Sequence, residues 1–190
     1  MSFARKDRKG MSRRRFLSLG GLALGAGMTV HSAWYEPRAV ETSTHRLPAS
    51  KPGGPVRLVQ VSDLHLSRFD RYFREVIELI DGLRPDLIVL TGDYLEEERN
   101  IRGVLDFLKA LHAPHGIYAV QGNWEYWSRL EGENLRSHFG GVDVKLLINE
   151  RVDLEIHDQA LSIFGLDYPS STDHLEKLQK EVDPKRFNLL

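Results

Sequence analysis

At 190 residues, 41% hydrophobic and 28% charged, the chain holds enough material for one domain, alone or with a tail. It contains no cysteine, which excludes disulfides and thiolate metal sites. The formal net charge of −1 hides an asymmetry: residues 1–15 carry seven Lys or Arg against one Asp (+6), which leaves −7 on the remainder. An acidic body of that kind argues against a nucleic-acid surface.

Residues 1–33 read as a targeting segment outside the fold. Ser12-Arg13-Arg14-Arg15-Phe16-Leu17 is followed by a mildly apolar, glycine-rich run from Leu17 to Val30. That run falls short of the ~20 apolar residues a membrane span needs. The order of these features resembles a twin-arginine export signal, with Arg13 and Arg14 as its pair. The plainer alternative is a basic tail before a hydrophobic helix. The export reading predicts the twin-arginine machinery as a partner. It also predicts a location in the periplasm or on the outer face of the cytoplasmic membrane, with the segment cleaved or kept as an anchor. Residues 34–55 hold prolines, serines and Gly53-Gly54, and read as a linker or a loose edge strand.

From Val56 the pattern becomes β-α-β-α-β. Val56–Val61 reads as a strand. Phe73, Val76, Ile77 and Ile80 recur at helical spacing, which predicts a helix over 71–83, stopped before Pro85. Leu87–Leu90 is an unbroken apolar run, as a buried parallel strand requires. Ile101, Val104, Leu105, Leu108 and Leu111 predict the next helix, ended by Pro114, and Ile117–Val120 the third strand. This alternation predicts a parallel sheet with right-handed crossovers.

Further on, Trp127, Leu130, Leu135 and Phe139 predict a helix that contains Gly132 and ends at Gly140-Gly141. Val144–Ile148, Val152–Ile156 and Leu161–Leu166 read as three short strands that begin a second sheet, the last two as a hairpin. Leu175, Leu178 and Val182 mark a final helix closed by Pro184, and Phe187–Leu190 starts another strand. The expected fold class is α/β, a two-sheet sandwich flanked by helices over residues 56–190.

The chemistry gathers where the first three strands end. Val61 is followed by Asp63 and His65, Leu90 by Gly92-Asp93, and Val120 by Gly122-Asn123-Trp124-Glu125. In open α/β sheets, ligands bind beyond the carboxyl ends of the strands. Taken singly, each residue has an ordinary reading: Asp63 as a helix cap beside a surface histidine, Asp93 as a turn acid, Asn123 as a left-handed turn residue. Taken together, carboxylate, imidazole and amide suit Mn, Fe, Zn or Mg. A metal-free nucleotide module would need a glycine-rich loop where Asp63-Leu64-His65-Leu66 stands.

Asp63-x-His65, Gly92-Asp93 and Gly122-Asn123-x-Glu125, in that order and roughly thirty residues apart, resemble the first three blocks of the calcineurin-like metallophosphoesterases. The resemblance is nearest to the membrane-associated phosphodiesterase branch that carries an export signal. It implies two divalent metal ions and a phosphoester substrate, some of that branch acting on lipid-linked phosphodiesters or on the pyrophosphate of UDP-diacylglucosamine. Asp63 and His65 would hold the first metal, Asp93 would bridge, and Asn123 would hold the second, with Glu125 orienting a neighbour or serving as a first-turn helix acid. Two departures stand out. Trp124 occupies the place of the family's usual histidine and can neither transfer a proton nor bind a metal. The family's later histidines, ending in Gly-His-x-His, would fall beyond Leu190. The competing expectation is therefore a shortened, inactive relative that binds one metal weakly or none.

Among other groups, Trp124, Tyr126 and Trp127 form an aromatic cluster, either a substrate platform or packing at a helix start. His112 and His115 lie at the amino end of the third strand and read as surface residues. His138, His157 and His174 have no spacing that makes them ligands. Glu96-Glu97-Glu98 reads as a solvated acid run, and Asp167, after an apolar strand, takes no role.

Overall fold

The computed structural model describes residues 40, 42–48, 53–168 and 171–190. The export segment expected over 1–33, with Arg13 and Arg14, lies outside the described residues. Residues 42–48 are exposed and form no strand, so no edge strand forms there. No helix among the described residues is long and apolar enough to cross a membrane.

All described helices and strands fall within His45–Leu190, one compact unit. Strands β1 (Leu58–Val61), β2 (Leu87–Leu90), β3 (Ile117–Ala119) and β4 (Val144–Leu146) form a parallel sheet in chain order. The connections carry helices α1 (Arg71–Leu83), α2 (Ile101–Ala110), α3 (Asn123–Trp127) and α4 (Gly132–Gly140). β5 (Glu150–Ile156) and β6 (Gln159–Gly165) make an antiparallel hairpin, and β7 (Phe187–Leu189) adds parallel to β6 after helix α5 (Thr172–Lys180).

The limits of α1 follow from its sequence. The Asp70 carboxylate caps the start by accepting from the Tyr72 N–H at 2.9 Å. Arg84 adopts φ 51 at the end, just before Pro85.

The first sheet is buried on both faces, which explains the unbroken apolar run of β2. Ile88 and Leu90 join Phe73, Ile77, Phe107 and Phe139 in the core beneath α1, α2 and α4. Leu87 and Val89 face the other way and pack with Ile156, Leu161 and Ile163 of the second sheet. Alternation with period two assigns neighbouring residues to opposite cores. The α/β two-sheet arrangement is the one expected.

Three boundaries differ from expectation. The helix predicted through Gly132 is broken into α3 and α4, because Arg129 and Gly132 both adopt positive φ (63 and 61) between them. Val144–Leu146 does not open the second sheet; it pairs in parallel with β3 and completes the first. The physical reason is the α4 crossover, which returns the chain parallel to β3 with Val144 and Leu146 facing the helix-side core. Val182 lies past the end of α5, which stops at Lys180.

Phe107 is fully buried and meets Phe73 edge-on at 5.8 Å. Phe107→Ala is expected to cost about 3–5 kcal/mol of stability, read as a lowered urea midpoint with an unchanged slope.

Candidate metal centre

Registry brings the site together. Val61 pairs with Leu90, and Leu90 with Ala119, so three strands end along one edge. The chain stays zipped past these ends. The Thr91 N–H donates to the Val61 carbonyl (3.0 Å), the Asp63 N–H to Gly92 (3.3 Å) and the His65 N–H to Asp93 (3.0 Å).

Asp63, His65 and Asp93 all take left-handed backbone conformations, with φ of 54, 40 and 59. Non-glycine residues there carry strain of order 1–3 kcal/mol each, which persists only where the surroundings hold it. The result is that one ligand atom from each of the three lies within 4.8 Å of the others. Glycine is required at two neighbouring points. A Cβ on Gly92 (φ 91) would stand 2.5 Å from the Gly122 nitrogen, and one on Gly122 would overlap the Asp93 carboxylate.

Glu125 fastens the second strand end to the third. It is fully buried, and its Oε2 accepts the N–H groups of Asp93 (3.0 Å) and Gly122 (2.8 Å). Its Oε1 accepts the N–H of Tyr94 at 2.8 Å. Burial pushes its pKa up, and the three amides pull it back. Glu125 is thus a first-turn acid of α3 whose carboxylate also fixes neighbouring backbone. Asp93 Oδ1 accepts the Trp124 N–H at 3.1 Å. The buried Tyr94 hydroxyl donates to the Val120 carbonyl at 2.6 Å. Desolvation raises the pKa of that phenol well above its ordinary value.

Asn123 opens α3, half-buried, directly after the glycine pressed against Asp93. The Trp124 ring packs edge-on to His65 at 5.1 Å, and Trp127 packs on Trp124 at 5.2 Å. His65 Nδ1 is buried without a hydrogen-bond partner among the described residues. Two carboxylates and an imidazole whose Nδ1 lacks a protein partner fit a divalent cation.

Sequence reasoning missed a second network. Gln121, 3% exposed, donates through Nε2 to Asp167 Oδ1 at 2.6 Å, and the Tyr126 hydroxyl donates to Asp167 Oδ2 at 2.8 Å. Burial and Asp167 push the Tyr126 pKa up to about 12. Asp167 follows β6, so the second sheet braces the loop that carries Asn123. The sequence signal was a polar residue ending each of two apolar strands, but nothing in it said that the two meet.

His115 and His157 lie far from this edge in the fold. The His115 N–H bonds the carbonyl of Asp86, which precedes β2, and the His157 ring sits 5.9 Å from that of His115. His138, His157 and His174 do not join the Asp63, His65 and Asp93 group. Glu96, Glu97 and Glu98 are exposed.

In Glu125→Gln, one backbone N–H must face an amide NH2. The variant is expected to lose about 1–3 kcal/mol of stability and about 10–100-fold in Mn(II) affinity, read by urea unfolding and calorimetry. Unchanged Mn(II) affinity would show that the tie does not set the ligand positions.

A family model of calcineurin-like phosphoesterases matches residues 56–188. The chain is 36% identical over 132 residues to the uncharacterized metallophosphoesterase YkuE of Bacillus subtilis (strain 168), across 62% of this chain and 46% of YkuE. It is 39% identical over 75 residues to the UDP-2,3-diacylglucosamine pyrophosphatase LpxG of Chlamydia trachomatis, across 37% of this chain and 23% of LpxG. Phosphopantetheinyl hydrolase (PptH) from Mycobacterium tuberculosis superposes with a TM-score of 0.43 at 19% identity, across 73% of this chain and 56% of that one. The chain spans about half the length of the Bacillus relatives it matches, 46% and 45%. With the family match running from the first strand to the last, the chain belongs to the calcineurin-like phosphoesterases.

Proposed function

We propose that this protein is a metal-dependent phosphoester hydrolase acting on a diester or pyrophosphate. The observation that carries this is the convergence of Asp63, His65 and Asp93 in strained conformations at one sheet edge. Asp63 and His65 would hold one divalent ion, Asp93 would be shared, and Asn123 would serve a second. Such a pair would neutralise charge on the phosphate and lower the pKa of a water, so that it could lose its proton to solvent near neutral pH and attack phosphorus.

The chain's own residues set the conditions. Glu125 and the Trp124 N–H hold Asp93 in place. The Trp124 ring shields one side of His65 from water. Trp124 cannot donate a proton to a leaving alkoxide, so the substrate must carry a leaving group that departs without one. A phosphate monoester anion leaves in that way; a simple alcohol does not. The similarity to LpxG supports a pyrophosphate that carries acyl chains, as the diacylglucosamine in that protein's name does. Trp124 also favours a second reading, a relative that binds an ion without turnover.

The two are separated by Mn(II) stoichiometry and by hydrolysis of bis(p-nitrophenyl) phosphate, which has a good leaving group. Two ions per chain and chelator-sensitive hydrolysis are expected. Asp93→Asn should lower that rate by about a hundredfold or more. A single weak ion with no hydrolysis would establish the second reading.

We further propose export by the twin-arginine route, supported by the order Arg13-Arg14-Arg15-Phe16-Leu17 before a weakly apolar run. Replacing Arg13 and Arg14 with lysine is expected to retain the protein in the cytoplasm, followed by cell fractionation; undiminished export of that variant would refute the signal.

A further inference from the structure

The loop that carries Asn123 is closed by a carboxylate from the other sheet. Gln121 follows β3 two residues before Asn123, and Tyr126 lies three residues after it on α3. Both donate to one side chain: Gln121 Nε2 to Asp167 Oδ1 at 2.6 Å, and the Tyr126 hydroxyl to Asp167 Oδ2 at 2.8 Å. The two oxygens of Asp167 thus take up the two flanks of Asn123. Bonds to an ionised carboxylate are roughly twice as strong as neutral ones.

Each member of this clasp is itself held. Gln121 is buried, and its Oε1 accepts the Gly132 N–H, so its amide is committed at both ends. The Asp167 N–H donates to Asn149 Oδ1 at 3.1 Å, and Asp167 Oδ1 also accepts the Tyr168 N–H at 2.8 Å. Glu125 has a different reach. It bonds the amides of Asp93, Tyr94 and Gly122, and so acts on the shared ligand Asp93. Among the described residues, no hydrogen bond joins Asp167 to Asp63, His65 or Asp93.

We propose that Asp167 is a positioning residue for the second ion alone: by holding Gln121 and Tyr126 it sets where Asn123 stands, and it leaves the ion on Asp63 and His65 unaffected. This rests on the phosphoesterase reading with its two ions and deepens it. Asn123 offers an amide oxygen without net charge, so what it adds to binding depends on placement. Binding constellations work when their side chains are held within about 0.5 Å of the productive geometry.

The test is a stepwise Mn(II) titration of the full chain by calorimetry. Two steps are expected in the wild type, and the step lost in Asn123→Ala identifies the ion that residue serves. Asp167→Asn should weaken that same step by about tenfold or more and leave the other unchanged. Tyr126→Phe removes one of the two bonds and should produce a smaller loss in the same step; it decides the matter by the same split if Asp167→Asn does not fold. In the metal-free protein, amide exchange at Gly122, Asn123 and Trp124 should quicken in Asp167→Asn while exchange at His65 stays as it was. Equal weakening of both steps would mark a residue that serves stability only, and it overturns the assignment. Two unchanged steps overturn it as well. Failure of the phosphoesterase reading looks different: the wild type itself would then take a single ion, and the assignment would fall with that reading.

Discussion

A single buried carboxylate accepts backbone N–H groups from two strand ends at once, and the geometry of the site follows from it. Glu125 takes the amides of Asp93 and Tyr94 after β2 and of Gly122 after β3. Away from water, a carboxylate is tolerated only when such donors replace its hydration. The donors are therefore held as firmly as the acid. That fixes the distance between the two loops and presses Gly92 onto Gly122. The Asp93 side chain is left in one position, held by the Trp124 N–H.

This tie acts on a scaffold that has already aligned the parts. Three parallel strands in register deliver their carboxyl ends to one edge, and the hydrogen bonds beyond those ends carry the alignment as far as His65. The left-handed conformations of Asp63, His65 and Asp93 are the cost of turning three side chains toward a common point. The two cores on either side of the sheet supply the rigidity that keeps them there.

The second sheet contributes more than cover. Asp167, at the end of β6, binds Gln121 and Tyr126, so the Asn123 loop is anchored both from β2 and from the opposite sheet. The loop so held presents Trp124 against His65. That ring packs but can move no proton, and it supports the exposed Trp127.

The sequence alone determined the α/β alternation, the helices over 71–83 and 101–110, and the strand ends that carry Asp63, His65, Asp93 and Asn123. Those are local matters: apolar periodicity, prolines that stop helices, glycines before polar residues. It could not place β4, because a short apolar run fits either sheet and only the α4 crossover decides. It misread the break before Gly132, since a positive φ at Arg129 has no side-chain signature. Which amides Glu125 meets and what Asp167 does lay beyond it too. A hydrogen bond spanning 31 or 46 residues is set by how strands and sheets pack, and no local pattern encodes which donor a buried acid will meet.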